Sequence, residues 1–243
     1  LEQAAAQGAE VVVATGRFYG GIPQELRDLP FLRYFILMNG AKVYDRRMDK
    51  TLGRAEIPWE TVEAVIDFLE PLHCSVDCFQ NDRGLMARKY YDRLEQYVTH
   101  PPSFALVKRT REPVDDLKEA VLAGGGSVQK LQAYFPDLEL RPKVMEQCKL
   151  VFPDLVQAIS MPANLEFNAP DATKGNGLRT LCRCLGIDPR EAAAFGDGTN
   201  DLSLLQEAGI GVAMANGAPE TLAAADLTAP SNEEDGVAQI LSR

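Results

Sequence analysis

The chain of 243 residues predicts an α/β fold: a Rossmann-like core on a mostly parallel sheet, interrupted by an α+β insert. Three observations predict it. Short apolar runs at 11–14, 35–38 and 192–195 are continuous rather than alternating, as parallel strands covered on both faces require. Each run gives way to a polar, glycine-containing cluster: Thr15-Gly16-Arg17, Asn39-Gly40 and Gly196-Asp197-Gly198. Between the second and third runs the pattern changes to helices and hairpins and then back. The predicted division is 1–50 and 168–243 for the core, with 51–167 as the insert.

Taken in order, residues 1–9 read as the end of a helix stopped by Gly8. The run 11–14 is the next strand. Gly20, Gly21 and Pro23 break the chain before a short helix, and 35–38 forms another buried strand. In the insert, 59–70 carries an apolar stripe at helical spacing. Runs 73–79 and 85–89 flank a hairpin signal at Asn81-Asp82-Arg83-Gly84. Gly124-Gly125-Gly126 lacks the Lys-Ser/Thr of a nucleotide P-loop and reads as a plain loop before a strand at 128–135. A helix near 139–149 and two runs around Met161-Pro162-Ala163 complete the insert. The last helix of this reading, 171–186, opens at Asp171 and Thr173. Its apolar face is Leu178, Leu181, Cys182 and Leu185.

The net charge of −10 excludes a general nucleic-acid or membrane-surface binder, and no apolar run reaches the length of a membrane span. No signal peptide is legible in LEQAAAQGAE. Five cysteines without C-x-x-C read as reduced thiols of a cytoplasmic protein. His73 and His100 are isolated and read as structural or surface residues.

The chemistry concentrates in FGDGTNDLSLLQEA, residues 195–208. Ligands of open α/β sheets sit at the carboxyl ends of strands. Here Asp197, Asn200 and Asp201 collect at such an end, and hard oxygen donors of this kind suit Mg²⁺. The same residues read equally as caps of the following helix. Lys174 lies in the first turn of its helix, where it opposes the helix dipole, so a ligand role gains weight there.

Thr15-Gly16-Arg17, Asn39-Gly40-Ala41, Lys174-Gly175 and Gly196-Asp197-Gly198-Thr199-Asn200-Asp201, in that order, resemble the haloacid dehalogenase (HAD) superfamily, and within it the Cof-type, subfamily IIB, phosphatases. Gly211-Val212-Ala213-Met214, Asn216 and Asp235-Gly236-Val237 extend the resemblance over the whole chain. It implies a Mg²⁺-dependent phosphatase of a small phosphorylated metabolite, such as a sugar phosphate, with the insert as a mobile cap. It implies Asp197 as the metal carboxylate, with Asn200 and Asp201 ordering the metal shell. It also implies Thr15, Gly16, Asn39 and Asn200 as substrate-binding residues, and Lys174 as the catalytic residue that holds the phosphate and the nucleophile's charge.

The family's first motif, D-x-D-G-T, does not occur before Thr15; the first aspartate is Asp28. That motif carries the family's nucleophile and general acid/base on the first core strand, so this strand is expected to be missing. Residues 1–243 alone are then expected to be inactive. A non-catalytic phosphate-binding or regulatory protein, or a phosphomutase, are the competing functions.

Overall fold

The computed structural model describes residues 1–242. The chain divides into two compact units, Leu1–Arg54 together with the chain from Asp171 on, and Ala55–Pro170.

The first unit begins with helix α1 (Glu2–Ala6), strand β1 (Val12–Ala14), helix α2 (Gln24–Arg27) and strand β2 (Tyr34–Leu37). β1 and β2 are parallel, in the register Val12↔Tyr34 and Ala14↔Ile36. All four residues of β2 are buried, which is why its sequence shows no alternation. Strands β3 (Lys42–Asp45) and β4 (Lys50–Arg54) then return antiparallel to complete a four-stranded sheet, β1-β2-β3-β4. Residues 51–54 thus pair with β3 and belong to this unit, not to the insert expected to start at 51. Residues 168–170 fall in the second unit.

The second unit holds helix α3 (Trp59–Leu69), strands β5 (Ser75–Gln80) and β6 (Arg83–Ala87), helices α4 (Arg88–Tyr91) and α5 (Pro101–Thr110), strand β7 (Arg111–Val114), helix α6 (Leu117–Ala123), strand β8 (Lys130–Tyr134), helix α7 (Leu140–Val151), and strands β9 (Val156–Ala158) and β10 (Asn164–Asn168). Its sheet has six strands in the order β7-β6-β5-β8-β10-β9. Asn81 and Asp82 both have positive φ, as a two-residue hairpin turn matching the strand twist requires. The glycine run is structural: the Gln80 amide packs against Gly124 and donates to the carbonyls of Val121 and Ser127 at 2.8 and 2.9 Å. One face of the sheet is apolar, with Val76, Cys78, Leu131, Ala133, Leu165 and Phe167 buried. The alternate positions of β5, β8 and β10 are also buried and, apart from Phe79, polar. There Arg111 donates to Asp77 at 2.8 Å and Lys130 to Glu166 at 2.9 Å.

The chain returns to the first unit with helix α8 (Lys174–Leu185), strand β11 (Ala193–Gly196), helix α9 (Leu202–Glu207), strand β12 (Ile210–Met214), helix α10 (Pro219–Ala224), strand β13 (Leu227–Ala229) and helix α11 (Gly236–Leu241). β11, β12 and β13 form an all-parallel sheet of three strands. Ile36 of β2, Leu178 and Cys182 of α8, Ala194 of β11, and Leu204 and Leu205 of α9 share one buried cluster, against which Val12 and Ala14 of β1 pack. The two sheets of this unit are therefore held by one core. β1 and β11 are nevertheless both edge strands, and they do not pair with each other. No helix of the described residues is long and apolar enough to cross a membrane. All five cysteines are free thiols.

Candidate active site

β11 delivers its loop through two glycines whose side-chain space is already taken. A Cβ on Gly196 would lie 2.4 Å from the Asp201 Cβ, and one on Gly198 would lie 2.6 Å from Asn200 Oδ1. The loop folds back through a 3-10 turn at Thr199–Asp201 before α9 begins. Asp201 is buried, and both of its oxygens are engaged. Oδ2 accepts the backbone N–H groups of Asp197 and Gly198, each at 3.0 Å, and Oδ1 accepts Lys174 Nζ at 2.5 Å. Asp201 stands at the start of α9 without a side-chain cap bond to it. The capping reading holds in part: Asp201 accepts the Gly198 N–H at the start of the 3-10 turn that leads into α9, as a capping-box acid does, and the same oxygen also holds the Asp197 N–H of the preceding loop.

Lys174 reaches Asp201 from the first turn of α8. Thr173 caps that helix by accepting the Asn176 N–H at 3.2 Å. Gly175 lets α8 approach α9 closely. A Cβ there would lie 2.3 Å from the Ser203 carbonyl oxygen, while its N–H donates to Ser203 Oγ at 3.1 Å. Lys174 is 5% exposed, so its charge is desolvated and depends on Asp201 for compensation.

Asp197 differs from Asp201 in every respect that matters for ligation. Its side chain is exposed and has no hydrogen bond or ion pair among the described residues. Asn200 is also exposed; its Nδ2 donates to Asn39 Oδ1 at 3.1 Å, which ties the β11 loop to the end of β2. Thr15, at the end of β1, joins the same cluster: its carbonyl accepts the Asn39 N–H at 3.0 Å and its Oγ1 accepts the Arg17 N–H at 3.2 Å. Gly16 lies under the Asn39 amide, where a Cβ would come within 2.9 Å of Oδ1. The structure thus brings Thr15, Gly16, Asn39, Lys174, Asp197, Asn200 and Asp201 into one connected network. Ser203 is a supporting residue that sequence reasoning missed. Its only sequence signal is the small residue at 175 facing it.

Among the described residues no group of three or more His, Cys, Asp or Glu is placed to hold a metal ion. An exposed carboxylate and an amide on one loop, Asp197 and Asn200, still fit Mg²⁺ by donor type, since the ion is commonly held by one or two carboxylates and keeps several waters.

The haloacid dehalogenase-like hydrolase family model matches residues 1–241. YxeH of Bacillus subtilis strain 168 is 30% identical over 250 residues, covering 99% of this chain and 87% of that protein. The 5-amino-6-(5-phospho-D-ribitylamino)uracil phosphatase YbjI of Escherichia coli K12 is 26% identical, covering 100% of this chain and 85% of its own length. The solved structure of the HAD subclass IIB sugar phosphatase BT4131 is similar to this one with a TM-score of 0.79 and 25% identity, over 99% of this chain and 87% of that one. The chain belongs to the haloacid dehalogenase-like hydrolases, and within that family it stands among phosphatases.

Proposed function

We propose that this chain is the main part of a Mg²⁺-dependent phosphatase acting on a small phosphorylated metabolite such as a sugar phosphate. The observation that carries the reading is the division of labour between two aspartates four residues apart: Asp201 is spent on Lys174 and the loop, and Asp197 is left open. Asp197 and the Asn200 carbonyl oxygen would hold the ion. When bound, Mg²⁺ supplies positive charge against the phosphoryl oxygens. Thr15 Oγ1 accepts from the Arg17 N–H and keeps its own hydrogen to donate to a phosphoryl oxygen. Lys174 uses one N–H on Asp201 and keeps the others for the phosphate. Phosphoryl transfer asks chiefly for such positioning and charge neutralisation.

The network holds no open carboxylate besides Asp197 to accept the phosphoryl group. β1 and β11, each paired on one side only, offer a seat for a further parallel strand between them. A nucleophilic aspartate at the carboxyl end of such a strand would stand between Thr15 and Asp197. Cleavage would then pass through a phosphoryl-enzyme and its hydrolysis.

The test is phosphate release from a panel of small phosphomonoesters by the product of the whole gene. Hydrolysis that needs Mg²⁺ and stops in excess EDTA is the expected result. Undiminished hydrolysis in EDTA, or no hydrolysis of any phosphomonoester, overturns the reading.

A further inference from the structure

Met38, Asn39 and Gly40 form the most unusual backbone in the first unit: three consecutive residues with positive φ, at 52°, 58° and 105°. Left-handed conformations are costly for non-glycine residues and least so for asparagine. Two in a row persist only when their surroundings over-determine them, and strain of this kind gathers at functional sites. The surroundings here are the site itself. The Met38 N–H donates to the Arg17 carbonyl at 3.1 Å and the Asn39 N–H to the Thr15 carbonyl at 3.0 Å, which ties the turn to the end of β1. Gly40 lies against the N-terminus of α8, where a Cβ would come within 2.0 Å of the Thr173 carbonyl oxygen, one residue before Lys174. The Asn39 side chain takes the third element, Asn200 on the β11 loop, at 3.1 Å.

Asn39 was expected to touch substrate. Its residue is only 9% exposed, whereas Asp197 and Asn200 are exposed, and its Oδ1 accepts from Asn200. The bond also orients its partner. An amide that donates through Nδ2 to Asn39 must turn its oxygen the other way. Asn200 Oδ1 accordingly lies over Gly198, next to the peptide that carries Asp197. A hard oxygen donor is thereby held on the loop that carries the open carboxylate.

We infer that Asn39 is a positioning residue: it fixes the Asn200 carboxamide so that its oxygen faces the Asp197 loop, and it couples that loop to Thr15 and to the start of α8. Its significance for turnover rests on the phosphatase reading above; its structural content does not.

The experiment separates the two. Asn39→Gly keeps the left-handed backbone without strain and removes the amide; Asn39→Asp keeps both the backbone preference and the accepting oxygen. The first readout is the Asn200 side-chain NH₂ signal in ¹H–¹⁵N spectra, with backbone signals far from residue 39 reporting that the fold is kept. In Asn39→Gly the Asn200 signal should move toward that of a solvent-exposed amide and its protons should exchange about threefold to tenfold faster, the worth of one hydrogen bond. In Asn39→Asp it should stay near the wild-type position. An Asn200 signal indifferent to Asn39→Gly in a folded protein overturns the proposal. The second readout is steady-state kinetics of the whole gene product on para-nitrophenyl phosphate. Asn39→Gly should lower kcat about tenfold or more with little change in KM, because a misplaced metal-site ligand costs transition-state rather than ground-state binding. A rise in KM at constant kcat would make Asn39 a substrate contact and overturn the positioning role. A wild-type product with no turnover would defeat the phosphatase reading, while the amide signal would still decide the positioning.

Discussion

Lys174 Nζ and Asp201 Oδ1 meet at 2.5 Å in a pair whose side chains are 6% and 7% exposed. A buried ion pair is weak evidence of net stabilisation. Breaking it from one side is nevertheless expensive, because the remaining charge stays buried. Lys174→Met should therefore cost about 3–5 kcal/mol in denaturant unfolding, along with phosphatase activity. A variant of wild-type stability would show that Asp201 finds another cation or protonates without penalty.

Asp197→Ala should behave in the opposite way. The carboxylate is exposed and has no partner among the described residues to orphan, so stability should change by no more than about 0.5 kcal/mol. Mg²⁺ affinity and turnover should fall steeply, by about a hundredfold or more in kcat, if the charge neutralised by the metal dominates the barrier. Calorimetric Mg²⁺ titration beside an unfolding curve checks both halves. Unaltered Mg²⁺ binding would remove Asp197 from the metal site.

Gly40→Ala tests the packing of the turn on α8. The added methyl would meet the Thr173 carbonyl oxygen at 2.0 Å and also force a φ of 105° on an L-residue. Both penalties act together, and a loss of about 3 kcal/mol or more is expected, the upper range for point changes. Gly8→Ala, also at positive φ but with nothing within 4 Å, should cost less. Equal losses would mean that backbone strain alone, and not the contact with α8, sets the cost.

Much of this was legible in the residues. The runs 11–14, 35–38 and 192–195 became β1, β2 and β11 because continuous apolar character has few other uses at that length. The strand pair β3–β4 was not legible: β4 is Lys-Thr-Leu-Gly-Arg, half exposed and without a period, and its pairing with β3 is a tertiary fact. Helix α5 and strand β7 were missed for a related reason. α5 buries only Ser103 and Val107, and the one buried residue of β7 is Arg111, whose partner lies on β5. At the site, spacing put Asp197, Asn200 and Asp201 in one group, but it could not separate their roles. That depends on where Lys174 and the backbone N–H groups point.

Asp45 contributes an acid dependence to the first unit. The Arg33 guanidinium donates to both of its oxygens, through Nε to Oδ1 at 3.1 Å and through Nη2 to Oδ2 at 2.6 Å, and the N–H groups of Met48 and Arg47 add to Oδ1. These bonds, the Arg33 contact first, hold its carboxyl below the ordinary value of 3.8. The stabilisation is therefore complete above that ordinary value and is lost as pH falls through the lowered folded value. Asp45→Asn should be less stable than wild type at neutral pH, and the gap should close on acidification below about pH 4. A gap that stays constant down to pH 2 would assign the loss to packing instead.

The last prediction concerns the two single-sided edges. In a parallel strand, successive backbone N–H groups point alternately to the two sides, so an edge strand leaves part of its amides without a ladder partner. β1 has β2 on one side only, and β11 has β12 on one side only. β2 and β12 have neighbours on both sides and line the core. For a polypeptide of residues 1–243 alone, hydrogen exchange should therefore be fast in peptides covering 12–14 and 193–196 and slow in those covering 34–37 and 211–214. In the whole gene product, if a further strand takes the seat, the first two peptides should become protected along with their neighbours. The same sample should release phosphate from a phosphomonoester, whereas residues 1–243 alone should not. Protection of both edges in the 1–243 polypeptide, or turnover by a protein shown by mass spectrometry to begin at Leu1, would show that the seat is already closed and that the phosphoryl acceptor lies elsewhere.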